Sequence, residues 1–159
     1  MNLMLNWYLI VKTLHIISAT ILFGTGIGIA FFMLRSHFTS DLRQKFYAAS
    51  NTVLADKLFT LPAGLIQLGS GLWLVWHAGY DLQQTWLFVS LILFVFAGSC
   101  WLPVLWIQAR LKQNLQHSLM HHTELPAHHY RLFRIWFILG WLAFIALTFV
   151  FYLMVAKPQ

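Results

Sequence analysis

The chain has 159 residues, of which 60% are hydrophobic and only 9% charged, and its mean hydropathy is +0.71. Soluble domains run nearer about half apolar and about a quarter charged, so this composition excludes a water-soluble globular enzyme, a nucleic-acid-binding module and a disordered chain. The net charge of +6 rests on ten Lys and Arg spread thinly along the sequence, and in a membrane protein such an excess carries orientation rather than a nucleic-acid footprint.

The first apolar stretch covers residues 7–34 and is broken only by Lys12 and His15. A second runs over residues 58–80 between Lys57 and Asp81, a third over 82–109 up to Arg110 and Lys112, and a fourth over 135–156 between Arg134 and Lys157. Each reaches the roughly 20 residues needed to cross a hydrocarbon core about 30 Å thick, and none alternates as a barrel strand does. Helices satisfy their own backbone groups in lipid, so the expected fold is all-α: a single domain, a four-helix transmembrane bundle.

The connections add detail. Ser40 ahead of Asp41-Leu-Arg-Gln reads as a helix N-cap, and Leu42, Phe46, Ala49, Val53 and Leu54 recur at helical spacing, so a helix is expected over about 41–57 leading into the second span. The third span is expected to continue over about 110–118. Thr123-Glu-Leu-Pro126 reads as a turn and helix start with proline in the first turn. Arg35, Arg43, Lys45 and Lys57 lie in the first connection and Arg110, Lys112, Arg131 and Arg134 in the third, so eight of the ten basic residues share one face. The positive-inside rule makes that face cytoplasmic and puts both termini outside, in a multi-pass protein of the bacterial cytoplasmic (inner) membrane.

His15 is the most informative residue, about two turns or 12 Å inward from Trp7. A polar ring at that depth needs a partner in the bundle, and neutral imidazole ligates haem iron or copper. Lys12, one turn outward, either snorkels to the headgroups or pairs with an acidic group such as a haem propionate. Gly26 returns to the angle of His15 and leaves room for a flat cofactor, or is a packing notch; Thr20, Gly24 and Gly28 lie opposite as a small-residue seam for helix contact. In the second span, Gln67 sits mid-way and Trp73, Trp76 and His77 lie toward the outside. His77 is either a second ligand or an interfacial histidine of the aromatic belt. His117 and His121, spaced i, i+4, share a face that suits Zn²⁺, Cu²⁺ or Ni²⁺ if a further ligand joins them. The four acids, Asp41, Asp56, Asp81 and Glu124, fall at span ends or in connections, which argues against acid–base catalysis and proton pumping within the membrane.

Several runs carry a resemblance: Val11-Lys-Thr-Leu-His15-Ile-Ile, Leu61-Pro-Ala with Gly71-Leu-Trp-Leu, Cys100-Trp-Leu-Pro-Val-Leu-Trp106, Tyr130-Arg-Leu-Phe-Arg-Ile-Trp136 and Met154-Val-Ala-Lys-Pro158. Over essentially its whole length the chain resembles a bacterial integral-membrane family, domain of unknown function 2269. More distantly, Lys12-x-x-His15 and the Tyr-Arg-x-x-Arg stretch are similar to the HemJ-type protoporphyrinogen oxidases, and the layout is similar to the copper-resistance D proteins. The resemblance implies b-type haem on His15; at Ser90, where the HemJ type carries lysine, the chain departs, and protoporphyrinogen oxidation is not implied.

The leading expectation is therefore a membrane protein binding haem b through His15, with His77 as second ligand, Lys12 near the propionates and Trp73, Trp76 and Trp86 as pocket walls, serving electron transfer or a haem-linked redox step; a redox partner or a homo-oligomer is the expected partner. A second reading is a metal or small-solute transporter accessory using His15, Gln67, His117 and His121. A third is a structural or assembly subunit in which His15 and the glycine seam only hold helices together.

Overall fold

The structure, a computed structural model, describes residues 3–158. Helix α1 spans Leu3–His37, α2 Leu42–Ala55, a π-helical turn Asp56–Thr60, α3 Leu61–Ala78, α4 Thr85–His121 and α5 Ala127–Ala156. Because α2, the π turn and α3 run on without a break, four rods are long and apolar enough to cross a membrane. At 1.5 Å per residue the 37 residues of α4 extend about 55 Å, well past a hydrocarbon core of about 30 Å.

Local chemistry fixes the ends. The cap of α2 is Asp41, not Ser40: its backbone is extended and its carboxylate accepts the Arg43 N–H at 2.8 Å, while Thr39 Oγ1 accepts the Asp41 N–H. Gly79, at φ 68°, ends α3 in the left-handed conformation that glycine adopts without a Cβ clash. The Asp81 carboxylate then accepts the Gln83 N–H at 2.9 Å, a turn that delays α4 to Thr85 rather than the expected residue 82. At its far end α4 reaches His121, beyond the expected 118, and stops where His122 turns left-handed. Pro126 is the residue before α5, with ψ 147°, and so precedes the first turn instead of lying in it. Pro103 lies within α4 and does not end it, as transmembrane helices tolerate.

Packing is chiefly α4 on α5, α1 on α3, and α2 on both α1 and α4. Eight of the eleven buried positions of α4 (Ser90, Ala97, Cys100, Val104, Ile107, Leu111, Leu115 and Ser118) recur at spacings of three, four or seven, one continuous interior face, with Trp86, Leu87 and Gln108 buried beside it. The densest core lies at the basic end, where Met33, Ala49, Ile107, Leu111, Leu115, Phe133 and Trp136 meet. Large apolar side chains such as Phe31, Phe32, Ile138 and Phe149 point outward on every rod, as a lipid-facing surface requires.

The glycine seam of α1 does not make the expected helix contact. Thr20 is exposed, and a Cβ at Gly24 or Gly28 would meet nothing within 4 Å. Close approach comes instead from α3: Gly71 would place a Cβ 3.1 Å from His15 Cε1, and Gly64 one 3.8 Å from Leu22 Cδ1. The small residues that let α1 and α3 meet are therefore on the partner helix.

Candidate functional site

His15 projects from α1 against α3, where both ring nitrogens find partners. Nδ1 lies 2.9 Å from Ser70 Oγ, and the Gln67 Nε2–H donates to Nε2 at 3.0 Å. Ser18, one turn along α1 and buried, donates its hydroxyl to Gln67 Oε1, and Ser70 Oγ in turn reaches the Ile66 carbonyl. With Gln67 donating to Nε2, His15 carries its proton on Nδ1 and gives it to Ser70. Ser18 also stands 2.9 Å from its own helix's His15 carbonyl, so its one proton has two acceptors to choose between.

That choice gives the cluster a second complete arrangement. If the Gln67 amide turns over, Oε1 accepts a proton from His15 Nε2, the amide N–H donates to Ser18, Ser18 donates to the His15 carbonyl, and Ser70 donates to Nδ1. No group is orphaned in either state, and the two differ in which nitrogen of His15 holds the proton.

A second polar group lies deeper toward the basic end. Asp56, the first residue of the π turn, is 1% exposed. Thr60, Gln108 and Trp101 face its carboxyl group, yet both carboxyl oxygens, Thr60 Oγ1, both amide atoms of Gln108 and Trp101 Nε1 are buried without a completed hydrogen bond. Unpaired buried polar atoms are rare in natural proteins, and three polar side chains gathered around one buried carboxyl group make this cluster a candidate functional site. The π turn contributes: the Leu61 N–H bonds back to the Asp56 carbonyl, five residues earlier, and such turns concentrate at functional sites.

The two groups share one helix face. Asp56, Thr60, Ala63, Gln67 and Ser70 follow at steps of four, three, four and three along the second rod, and all turn inward to some degree. From Asp56 to Ser70 the rise is about 20 Å, some two-thirds of a hydrocarbon core. By sequence Asp56 falls at a span end; the continuity of α2 with α3 carries it inside the protein.

The other expected site residues do not gather around His15. Lys12 is exposed, its Nζ 5.9 Å from the Tyr8 ring centroid. His77 is exposed and stacks on Trp73, with ring centroids 4.6 Å apart and planes 8° from parallel, and on Tyr8 at 5.8 Å. Trp76 is 78% exposed and points outward. Trp86 is buried elsewhere: its Nε1–H donates to Gln84, it meets Tyr80 edge-on, and Lys157 lies 5.3 Å from its ring while donating to Tyr80 Oη. Nothing lies within 4 Å of a Cβ built at Gly26. Ser90 is buried and donates to the Trp86 carbonyl of its own helix.

A b-type haem on His15 requires a free imidazole nitrogen and space beside the ring. Both nitrogens are hydrogen-bonded and Gly71 closes on the Cε1 edge, so the residues around His15 do not fit the group. His117 and His121 do share a face, with ring centroids 4.4 Å apart, but among the described residues no third His, Cys, Asp or Glu joins them; His128 is bonded to Asn114 and His129 is turned inward.

Residues 9–158 match the model of a family described as predicted integral membrane protein (DUF2269). No curated protein and no solved structure matches the chain.

Proposed function

The chain belongs to this family of predicted integral membrane proteins, DUF2269, and from that premise we propose that it is a transport-type protein whose interior polar stripe passes protons. The observation that carries the reading is Asp56, a carboxyl group 1% exposed and faced by Thr60, Gln108 and Trp101, on the same helix face as the side chains that hold His15. An ionisable side chain buried at this depth, with Thr60, Gln108 and Trp101 around it, is a functional residue by default. Toward the other end, His15 has two tautomers that leave no group unbonded; in this reading a water that reaches the ring delivers a proton to one nitrogen and a second water accepts one from the other.

In this reading the basic end faces the cytoplasm of a bacterial cytoplasmic membrane, by the positive-inside rule, and both termini lie on the opposite side. Asp56 exchanges protons from the cytoplasmic half, and in this reading water along the polar side chains of Thr60, Gln67 and Ser70 carries them across the turns between. His15 completes the path in the outer half.

The test is proton flux into liposomes carrying the purified protein and an internal pH dye, driven by a potassium diffusion potential. Flux above protein-free liposomes, lost in Asp56→Asn, supports the reading. Flux equal to the protein-free control, or unaffected by Asp56→Asn, overturns it.

A further inference from the structure

Where α1 leaves the core at the basic end, a groove of about 1220 Å³ opens between it and the rod formed by α2 and the π turn. It exceeds the roughly 300–1,000 Å³ of a drug-sized pocket. Its lining runs from a rim at the end of α1 and the start of α2, where Arg35 and Arg43 stand, to an apolar part with Gly28, Ile29, Phe32 and Phe59, and polar side chains such as Asn51 also border it. Phe32 is 64% and Phe59 52% exposed, so the apolar part opens sideways toward lipid rather than closing into the core. Gly28 keeps it open: a Cβ there would meet nothing within 4 Å.

The two ends of the groove ask for different chemistry. Two guanidinium groups and no carboxylate line the rim, a setting that selects phosphate, which arginine binds through paired N–H donors. The apolar part continues from the rim along α1 for about two turns, from Arg35 to Gly28, into the hydrocarbon zone. A free anion leaves the apolar part unfilled, and an apolar helix from another chain leaves both arginines facing carbon. Only a molecule with an anionic head and a hydrocarbon tail matches both, at the depth where headgroups lie.

We infer that this groove is a binding site for one anionic diacyl phospholipid, with its phosphate between Arg35 and Arg43 and an acyl chain laid along Gly28, Ile29 and Phe32 against Phe59. The inference is independent of proton conduction, since the stripe from Asp56 to His15 does not require an occupied groove.

The full chain in mild non-ionic detergent is titrated with phosphatidylglycerol, phosphatidylcholine and glycerol phosphate, and retention is read by native mass spectrometry. Phosphatidylglycerol is expected to bind at least tenfold more tightly than phosphatidylcholine, and glycerol phosphate to compete weakly. Removing both charges in the Arg35→Gln/Arg43→Gln variant is expected to weaken phosphatidylglycerol about thirtyfold, at the usual value of a basic side chain near an anionic surface. Gly28→Leu, which has room for its side chain, fills the groove and is expected to weaken both lipids while leaving helicity unchanged. Equal retention of the two lipids by the unaltered protein overturns the site. So does glycerol phosphate competing as well as phosphatidylglycerol, or a stable dimer that binds neither lipid. Should the double arginine variant fail to fold, Gly28→Leu decides: undiminished lipid binding there overturns the site as well.

Discussion

His15 on α1 and Ser70 on α3 are 55 residues apart in sequence and 2.9 Å apart in space, joined by a hydrogen bond inside the bundle. That bond, with the one from Gln67 to the other ring nitrogen, makes His15 a bridge between two helices rather than an open ligand. Buried polar groups held this way are costly to break singly, because the partner left behind has no water to turn to.

Ser70→Ala is expected to destabilise the protein by about 1–3 kcal/mol, since it leaves the His15 Nδ1–H without an acceptor. In a His15→Leu background the same change should cost little, giving a coupling of about 1–2 kcal/mol in a double-mutant cycle. Thermal or denaturant unfolding in detergent reads it. Strictly additive effects would show that the two side chains act separately.

Gly71→Ala should also destabilise, by about 1–3 kcal/mol, because the new methyl group lies 3.1 Å from the His15 ring and the ring is held on both sides. Gly28→Ala is the matched comparison: its methyl group meets nothing, and alanine favours a helix over glycine by about 1 kcal/mol. Its midpoint should stay put or rise. Equal losses for the two variants would contradict the close approach of α3 to His15.

Asp56→Asn keeps the size of the side chain and removes the ability to carry charge. Stability should hold or improve, because the amide keeps the side chain's size and its acceptor oxygen for Thr60, Gln108 and Trp101 while removing a charge that is costly to bury. A loss above about 3 kcal/mol would mean that Asp56 is instead one half of a strong structural pair.

Visible spectra of the protein purified from haem-replete cells should show no Soret band, and added haem should produce no low-spin spectrum that depends on His15. A Soret band lost in His15→Ala would require Gln67 to leave Nε2, and would restore the histidine to iron ligation.

Much of the fold could be read from hydropathy alone, because lipid imposes one solution on an apolar run of sufficient length. The ends drifted by a few residues wherever a side chain bonded the backbone first, as Asp41 and Asp81 do. His15 is legible because it and Lys12 alone interrupt the apolar stretch of residues 7–34. Its partners are not: serine is common in transmembrane helices, and only contact shows that Ser18 and Ser70 are the ones engaged. Asp56 was hidden by Lys57 beside it, which placed the pair at a membrane boundary, although the inward spacing of Asp56, Thr60, Ala63, Gln67 and Ser70 is a sequence signal. The π turn that sets Asp56 facing Gln108 and Trp101 leaves no such mark. The grouping of His15 with His77 and the tryptophans rested on depth, and depth does not specify which way a ring points.

The central claim is tested most directly by potential-driven proton flux in liposomes containing the unaltered protein, Asp56→Asn and His15→Phe at equal protein content. The account predicts flux well above protein-free liposomes for the unaltered chain, and a fall of at least tenfold in each variant with unchanged helicity. Flux indistinguishable from protein-free liposomes, or variants that conduct as the unaltered chain does, would contradict it.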